Sequence, residues 1–197
     1  MAVRTRLEKM AENRARLIAA GRQAFAEKGF AAASMDEFTA AVGLTRGALH
    51  HNFGDKKGLF AAVVEQIDTE LSGKARACGI AAGGGWEGLM AEGRAYIEMA
   101  LEPEVQRIVL LDGPAVLGDP SQWPSQNRCL QATIATLQEL SAEGRIRSVD
   151  IKALARLLNG MALNAALWVA ASEDAAATLP KAIAAFEALA SGVCVDG

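Results

Sequence analysis

Apolar residues recur at spacings of three and four along most of the chain, the period of helices that lie on a core. Leu7, Met10, Leu17, Ile18, Gly21 and Phe25 share one face of a predicted first helix over residues 4–28, and Arg4, Arg6, Lys9, Arg14, Arg16 and Arg22 dress the other. Gly29 supplies a natural stop. Two short helices follow. Ser34 caps the first, and Gly43 closes it at a position that suits positive φ. Thr45 caps the second, which sets Leu49 and Phe53 four residues apart on a buried face. A fourth helix starts near Asp55 and runs through Leu59, Phe60, Val63, Val64, Ile67 and Leu71. Residues 79–85, with three consecutive glycines, read as a loop. Helices are expected over 86–101 and 103–111, an irregular connection over 112–124 where Pro114, Pro120 and Pro124 cluster, and three long helices over 125–143, 150–172 and 175–191.

Composition narrows the fold class. Alanine is abundant and strand-favouring residues are sparse, so the chain reads as all-α. No run of about eighteen apolar residues lacks charge, and the charged start has no signal-peptide core, so neither a membrane span nor export is expected and the chain reads as cytoplasmic. Cys78, Cys129 and Cys194 are odd in number and far apart, which argues against a disulfide framework or a zinc site, and none has nearby Lys, Arg or His signals strong enough to suggest the lowered pKa of a redox thiol. The only two histidines are adjacent, no nucleophile or carboxylate constellation stands out, and the glycines at 83–85 follow no strand. Neither an enzyme nor a metal or cofactor site is expected.

Charge changes the picture more. The chain carries a formal net charge of −3, yet residues 1–58 hold ten Lys/Arg against six Asp/Glu, and residues 59–197 hold ten against seventeen. A basic head on an acidic body suits a head that meets nucleic acid. The second short helix carries Arg46, Gly47, His50 and His51 opposite Leu49 and Phe53, a donor-rich face for the major groove.

The segments Gly29-Phe30, Ser34-Met35-Asp36, Ala41-Val42-Gly43-Leu44-Thr45, Gly47-Ala48-Leu49, Phe53 and Lys56-Lys57-Gly58-Leu59-Phe60 resemble the helix-turn-helix of tetracycline-repressor-type (TetR-type) regulators. The likeness is specific over residues 10–65 and rests on length and helix count beyond them. It implies a DNA-binding domain over 1–58, joined by a long helix to a helical regulatory and dimerisation domain over 59–197. It also implies phosphate contacts from Thr45 and Lys56, a further one from Ser34, a guanine contact from Arg46, and close approach at Gly47. His50 stands where the family commonly has tyrosine, and Asn52 where it has histidine. Phe38-Thr39 replaces the usual Ile-Ala pair.

For the body, the resemblance implies a homodimer seam on the last two helices, with Leu157, Gly160, Met161, Ala165 and Trp168 in it, and a mostly apolar effector cavity. Trp86, Met90, Tyr96, Met99, Trp123, Asn127, Gln131, Asn164 and Trp168 are the candidates to line that cavity, for an apolar or amphipathic small molecule. The expected partners are therefore a palindromic DNA operator, a second copy of the chain and that effector, in a repressor released by its ligand. Two other readings stay open: a DNA-binding protein without an effector, and a helical small-molecule binder with weakened DNA binding.

Overall fold

The computed structural model describes residues 6–195 of the 197-residue chain. Among these residues helices dominate and no β-strand forms; an isolated bridge joins Ile146 to Cys194. The N-terminal head consists of α1 (Arg6–Ala32), α2 (Met35–Ala41) and α3 (Arg46–Phe53), and α4 (Lys56–Ala81) leads from it into the body. Helical geometry in α1 is interrupted at Gly29, with φ 74° and ψ 171°, where the sequence places its stop. Arg4, expected at the start of that helix, lies outside the described residues. Leu7, expected to face inward, is 77% exposed, because the first turns of α1 extend past the helices that could cover it.

An aromatic cluster holds the head together. Phe25 is fully buried, 5.1 Å from Phe38 and 5.0 Å from Phe60 between ring centroids, both edge-on. Such contacts add to area burial because the positive edge of one ring meets the negative face of another. Phe38 thus brings an aromatic ring to the position where the family usually has isoleucine. Leu59 and Phe60, beyond residue 58, complete this core, so the first turns of α4 are shared by head and body.

The body contains α5 (Gly85–Glu98), a 3-10 turn (Met99–Leu101), a π-helical segment (Val105–Asp112), α6 (Gly113–Leu117), a 3-10 turn (Pro120–Gln122), α7 (Pro124–Ala142), α8 (Ile151–Ala171) and α9 (Ala175–Ser191). Two boundaries differ from expectation. Helix α4 continues through Ala81, so the glycine break shrinks to the turn before Gly85. The stretch 112–124 is largely helical: Pro120 and Pro124 each open a helical turn, where the missing N–H has no helical partner to lose, and Pro114 continues the helical run that leaves the π-helical segment through Asp112 and Gly113.

Helix α8 is the one described helix long and apolar enough to cross a membrane by length and composition. Its apolar residues have another use. Leu154, Ala155, Leu158, Ala162, Ala166, Val169 and Ala170 are buried in the body, while Leu157 and Trp168 project from the opposite face.

Head and body are docked by polar contacts. Arg22 of α1 donates to both carboxylate oxygens of Glu104 at 2.6 and 2.7 Å and to Glu70 at 2.9 Å, and these acceptors raise its pKa further. The Phe30 N–H, just past the break at Gly29, donates to Asp112 at 2.7 Å.

Candidate nucleic-acid interface and regulatory cavity

The turn between α2 and α3 is fixed locally. Gly43 takes φ 61°, which L-residues with a Cβ adopt at a cost, and its N–H donates to Ala40 O at 3.1 Å while Leu44 N–H reaches Thr39 O at 2.8 Å. Ser34 Oγ accepts from Asp36 N–H at 3.3 Å, and Thr45 Oγ1 accepts from Ala48 N–H at 3.2 Å. Each hydroxyl keeps its own proton to donate, so capping and a phosphate contact are compatible. Leu49 is fully buried and Phe53 half-buried under the Arg14 guanidinium, 4.6 Å from the ring centroid. Arg46, Gly47, His50 and His51 are exposed together. A Cβ at Gly47 would meet only Thr45 Oγ1, at 3.7 Å, so nothing inside the protein requires a glycine there. Asn52 is tied into its own helix, its amide donating to Ala48 O at 2.7 Å.

Two basic residues differ from the simple picture of free donors. Lys56 Nζ donates to Ala31 O at 3.2 Å and Ala33 O at 2.9 Å and stands 4.6 Å from the Phe30 centroid. Carbonyls at the end of α1 attract the ammonium, so in this structure Lys56 ties α1 to α4 instead of reaching outward; its neighbour Lys57 is exposed. Arg46 is held side-on by Asp36: Nη2 donates to Oδ2 at 2.5 Å and Nε to Oδ1. The pair holds the Asp36 carboxyl below the usual range and raises Arg46. Sequence reading misses this partner, since ten residues and a turn separate the two.

In the body, α4, α5, α7, α8 and α9 line a cavity of about 340 Å³ that is open to solvent. Leu89, Met90, Leu158, Ala162 and Phe186 give it apolar walls; Tyr96, Gln126, Thr133 and Asn159 supply polar groups, and Arg76 and Glu92, paired at 2.7 Å, line it too. Burial raises the Glu92 carboxyl, against the opposing pull of Arg76. Of the nine residues expected to line a cavity, Met90 and Tyr96 line this one. Trp86 packs on the second apolar cluster, and Met99 is buried in the main core. Trp123 lines a different cavity of about 460 Å³ between head and body, and Gln131 lies in a surface groove. Asn127, Asn164 and Trp168 are exposed, because the register of α7 and α8 turns them outward. The residues missed include small and charged ones on α4 and α7, such as Ser72, Arg76 and Cys129, which carry no ligand signal until helices meet.

Beside the cavity lies Asp68, fully buried on α4. It accepts from Ser125 Oγ and, at 3.4 Å, from Gln126 Nε2. Burial raises its pKa, against those hydrogen bonds, and burial likewise raises the Tyr96 phenol and the Cys129 thiol. A raised thiol pKa is the reverse of what redox sensing needs. For Asp68 the folded pKa exceeds the unfolded one, so its contribution to stability is full below the ordinary aspartate range and is lost as pH rises through the raised value. Asp68→Asn is therefore expected to melt above the parent at pH 7, by on the order of 1 kcal/mol or ~2–4 °C, and to lose that advantage near pH 4. Thermal melts across this range check it; an equal shift at both pH values would contradict it.

A capped helix-turn-helix with an outward donor face, carried on a helix that also walls a cavity, defines a DNA-binding regulator. Comparison with known proteins agrees. Residues 17–63 match the family described as "Bacterial regulatory proteins, tetR family", and residues 86–193 match "Tetracyclin repressor-like, C-terminal domain". The chain belongs to the TetR family of transcriptional regulators. It is 48% identical to a TetR-family transcriptional regulator from Pectobacterium atrosepticum, whose crystal structure aligns over 98% of this chain and 99% of that one with a TM-score of 0.88. It is 26% identical over 160 residues to the transposon Tn10 TetC protein of Escherichia coli, and 27% over 158 residues to the HTH-type transcriptional repressor AcnR of Corynebacterium jeikeium. These alignments cover 77% and 76% of this chain and 77% of each relative. The fold is also that of RolR, solved with the ligand resorcinol, at 22% identity and a TM-score of 0.66 over 97% of this chain and 99% of that one.

Proposed function

We propose that the protein is a homodimeric repressor that grips a palindromic operator with α3 of each protomer and lets go when an apolar or amphipathic small molecule fills the cavity walled by α4, α5, α7, α8 and α9. One observation carries the effector reading. Ser72, Ala75 and Arg76, which line the cavity, lie on the same helix as Leu59, Phe60 and Val63, which complete the core of the head. A shift of α4 on ligand binding therefore moves the head. Such couplings are typically ~1–3 kcal/mol, or ~5–150-fold in affinity. AcnR is named as a repressor and RolR was solved with a small phenol, which supports repression and a ligand of this kind.

At the DNA, Arg46 reads a guanine edge, Ser34, Thr45 and Lys57 hold phosphates, His50 and His51 face the duplex, Gly47 lets the helix approach, and Lys56 keeps α1 and α4 in register. Arg46→Ala is expected to weaken operator binding roughly 5–150-fold and to flatten preference at one base position per half-site. Lys57→Ala should weaken all sequences alike and make the salt slope shallower, by about one for each phosphate it no longer holds. Binding isotherms on matched and substituted duplexes separate the two.

The effector is tested by a thermal-shift screen of small phenols, aromatic acids and medium-chain alcohols. Compounds that stabilise the parent are expected to release operator DNA and to do neither in Ala162→Leu, which intrudes on the cavity. Stabilisation with unchanged DNA binding would remove the effector from the reading.

A further inference from the structure

We propose that Asp36 is a positioning residue for base readout, holding Arg46 side-on so that the remaining edge of its guanidinium is presented to a guanine. The inference rests on the reading of α3 as the base-reading helix. Arginine has two bidentate edges: Nε with Nη2 along the side, and Nη1 with Nη2 at the end. Asp36 occupies the side edge, with Nη2 to Oδ2 at 2.5 Å and Nε to Oδ1. Among the described residues no acceptor pairs with the end edge, and the two side chains are 62% and 64% exposed. Two parallel N–H groups at that end match guanine O6 and N7.

A carboxylate on the DNA face of a basic head needs a reason, since it repels phosphates. Support of the α2 N-terminus is a weak one here, because Ser34 already caps that helix and Glu37, paired with Lys28 at 2.9 Å, adds a second first-turn acid. Holding the guanidinium answers better. A free arginine must give up its rotamer freedom on binding, whereas one already held by Asp36 has lost that freedom before DNA arrives. Asp36 thus trades general DNA affinity for base discrimination.

The trade gives an unusual sign to test. The full-length protein and its Asp36→Ala, Asp36→Asn and Arg46→Ala variants each select from a library of randomised duplex DNA, and affinity for unselected duplex is measured separately. Arg46→Ala is expected to erase a guanine preference of roughly 5–150-fold at one position per half-site. Asp36→Ala should weaken the same preference by about 5-fold, leave other positions unchanged, and bind unselected DNA on the order of 3-fold more tightly. Asp36→Asn, which keeps the size and one acceptor, should fall between, and it carries the comparison if the alanine variant melts early. In an Arg46→Ala background, Asp36→Ala should alter only the affinity for unselected DNA.

A guanine preference that stays unchanged or sharpens in both Asp36 variants would overturn the proposal and leave Asp36 as a competitor for Arg46 or a helix-end acid. If Arg46→Ala also leaves the profile unchanged, the base-reading role of Arg46 fails with it, so the two failures are distinguishable.

Discussion

Leu157→Glu with Trp168→Glu is expected to turn the protein into a well-folded monomer and to lower its affinity for a palindromic operator by ~10²–10⁴-fold. Leu157 is 66% exposed, Trp168 51% and Leu189, across on α9, 66%. A Cβ at Gly160 would meet nothing within 4 Å, so a partner backbone can come close between these side chains, while Met161 and Ala165 are half-buried at the edge of the core. Large apolar side chains left in water on two adjacent helices fit a two-fold, four-helix seam. The expected size of the loss comes from geometry. In a dimer the second half-site meets its reader at the high effective concentration set by the first, whereas a monomer must bind each half-site separately. Sedimentation of the parent and variant, followed by operator titration, checks both halves of the expectation. A variant that stays dimeric would move the seam elsewhere, and a monomer that keeps full affinity would remove the dimer from the mechanism.

A second large loss is expected in the head. Phe25→Ala should cost about 3–5 kcal/mol, because it deletes a fully buried ring and leaves a cavity among Phe30, Phe38 and Phe60 that neighbouring helices fill poorly. The head is small, so a loss of this size is a large part of what holds α2 and α3 in place. Denaturant unfolding gives the cost, and operator binding should fall with it even though Phe25 touches no DNA. A loss below about 1 kcal/mol would mean that the aromatic cluster is not what fixes the head.

The two halves of the chain are unequally legible in the sequence. The head can be read because its signals are local. Ser34 and Thr45 cap within three residues, Gly43 marks its own turn, and Leu49 and Phe53 repeat at one helical turn. The body depends on which helix faces meet, and composition does not say. Trp168 suits a cavity or a seam equally well by its chemistry, and only the register of α8 turns it outward; Met99 has the character of a lining residue and is buried in the core. Asp68 does leave a trace, as a lone acid on the apolar stripe between Ile67 and Leu71 of α4. The partnership of Asp36 with Arg46 leaves none, because it exists only once the turn has folded. Lys56 shows the opposite limit: its place at the start of α4 is legible, but its bonds to Ala31 and Ala33 depend on where α1 ends.

The docking of head on body suggests how the halves act together. Arg22 joins α1 to Glu104 and Glu70, and Asp112, at the end of the π-helical segment, holds the Phe30 N–H. The head is thus joined to the body both through α4 and through α1.

The proposed function stands or falls on whether this chain reads DNA as a two-fold dimer. Selection of bound sequences from a randomised duplex library by the full-length protein, with footprinting of the winner, decides it. The expected result is two inverted half-sites on one face of the duplex, bound with an affinity that falls steeply as salt rises. Recovery of an unsymmetric single site, or binding that does not distinguish the selected duplex from a scrambled one at moderate salt, would contradict it.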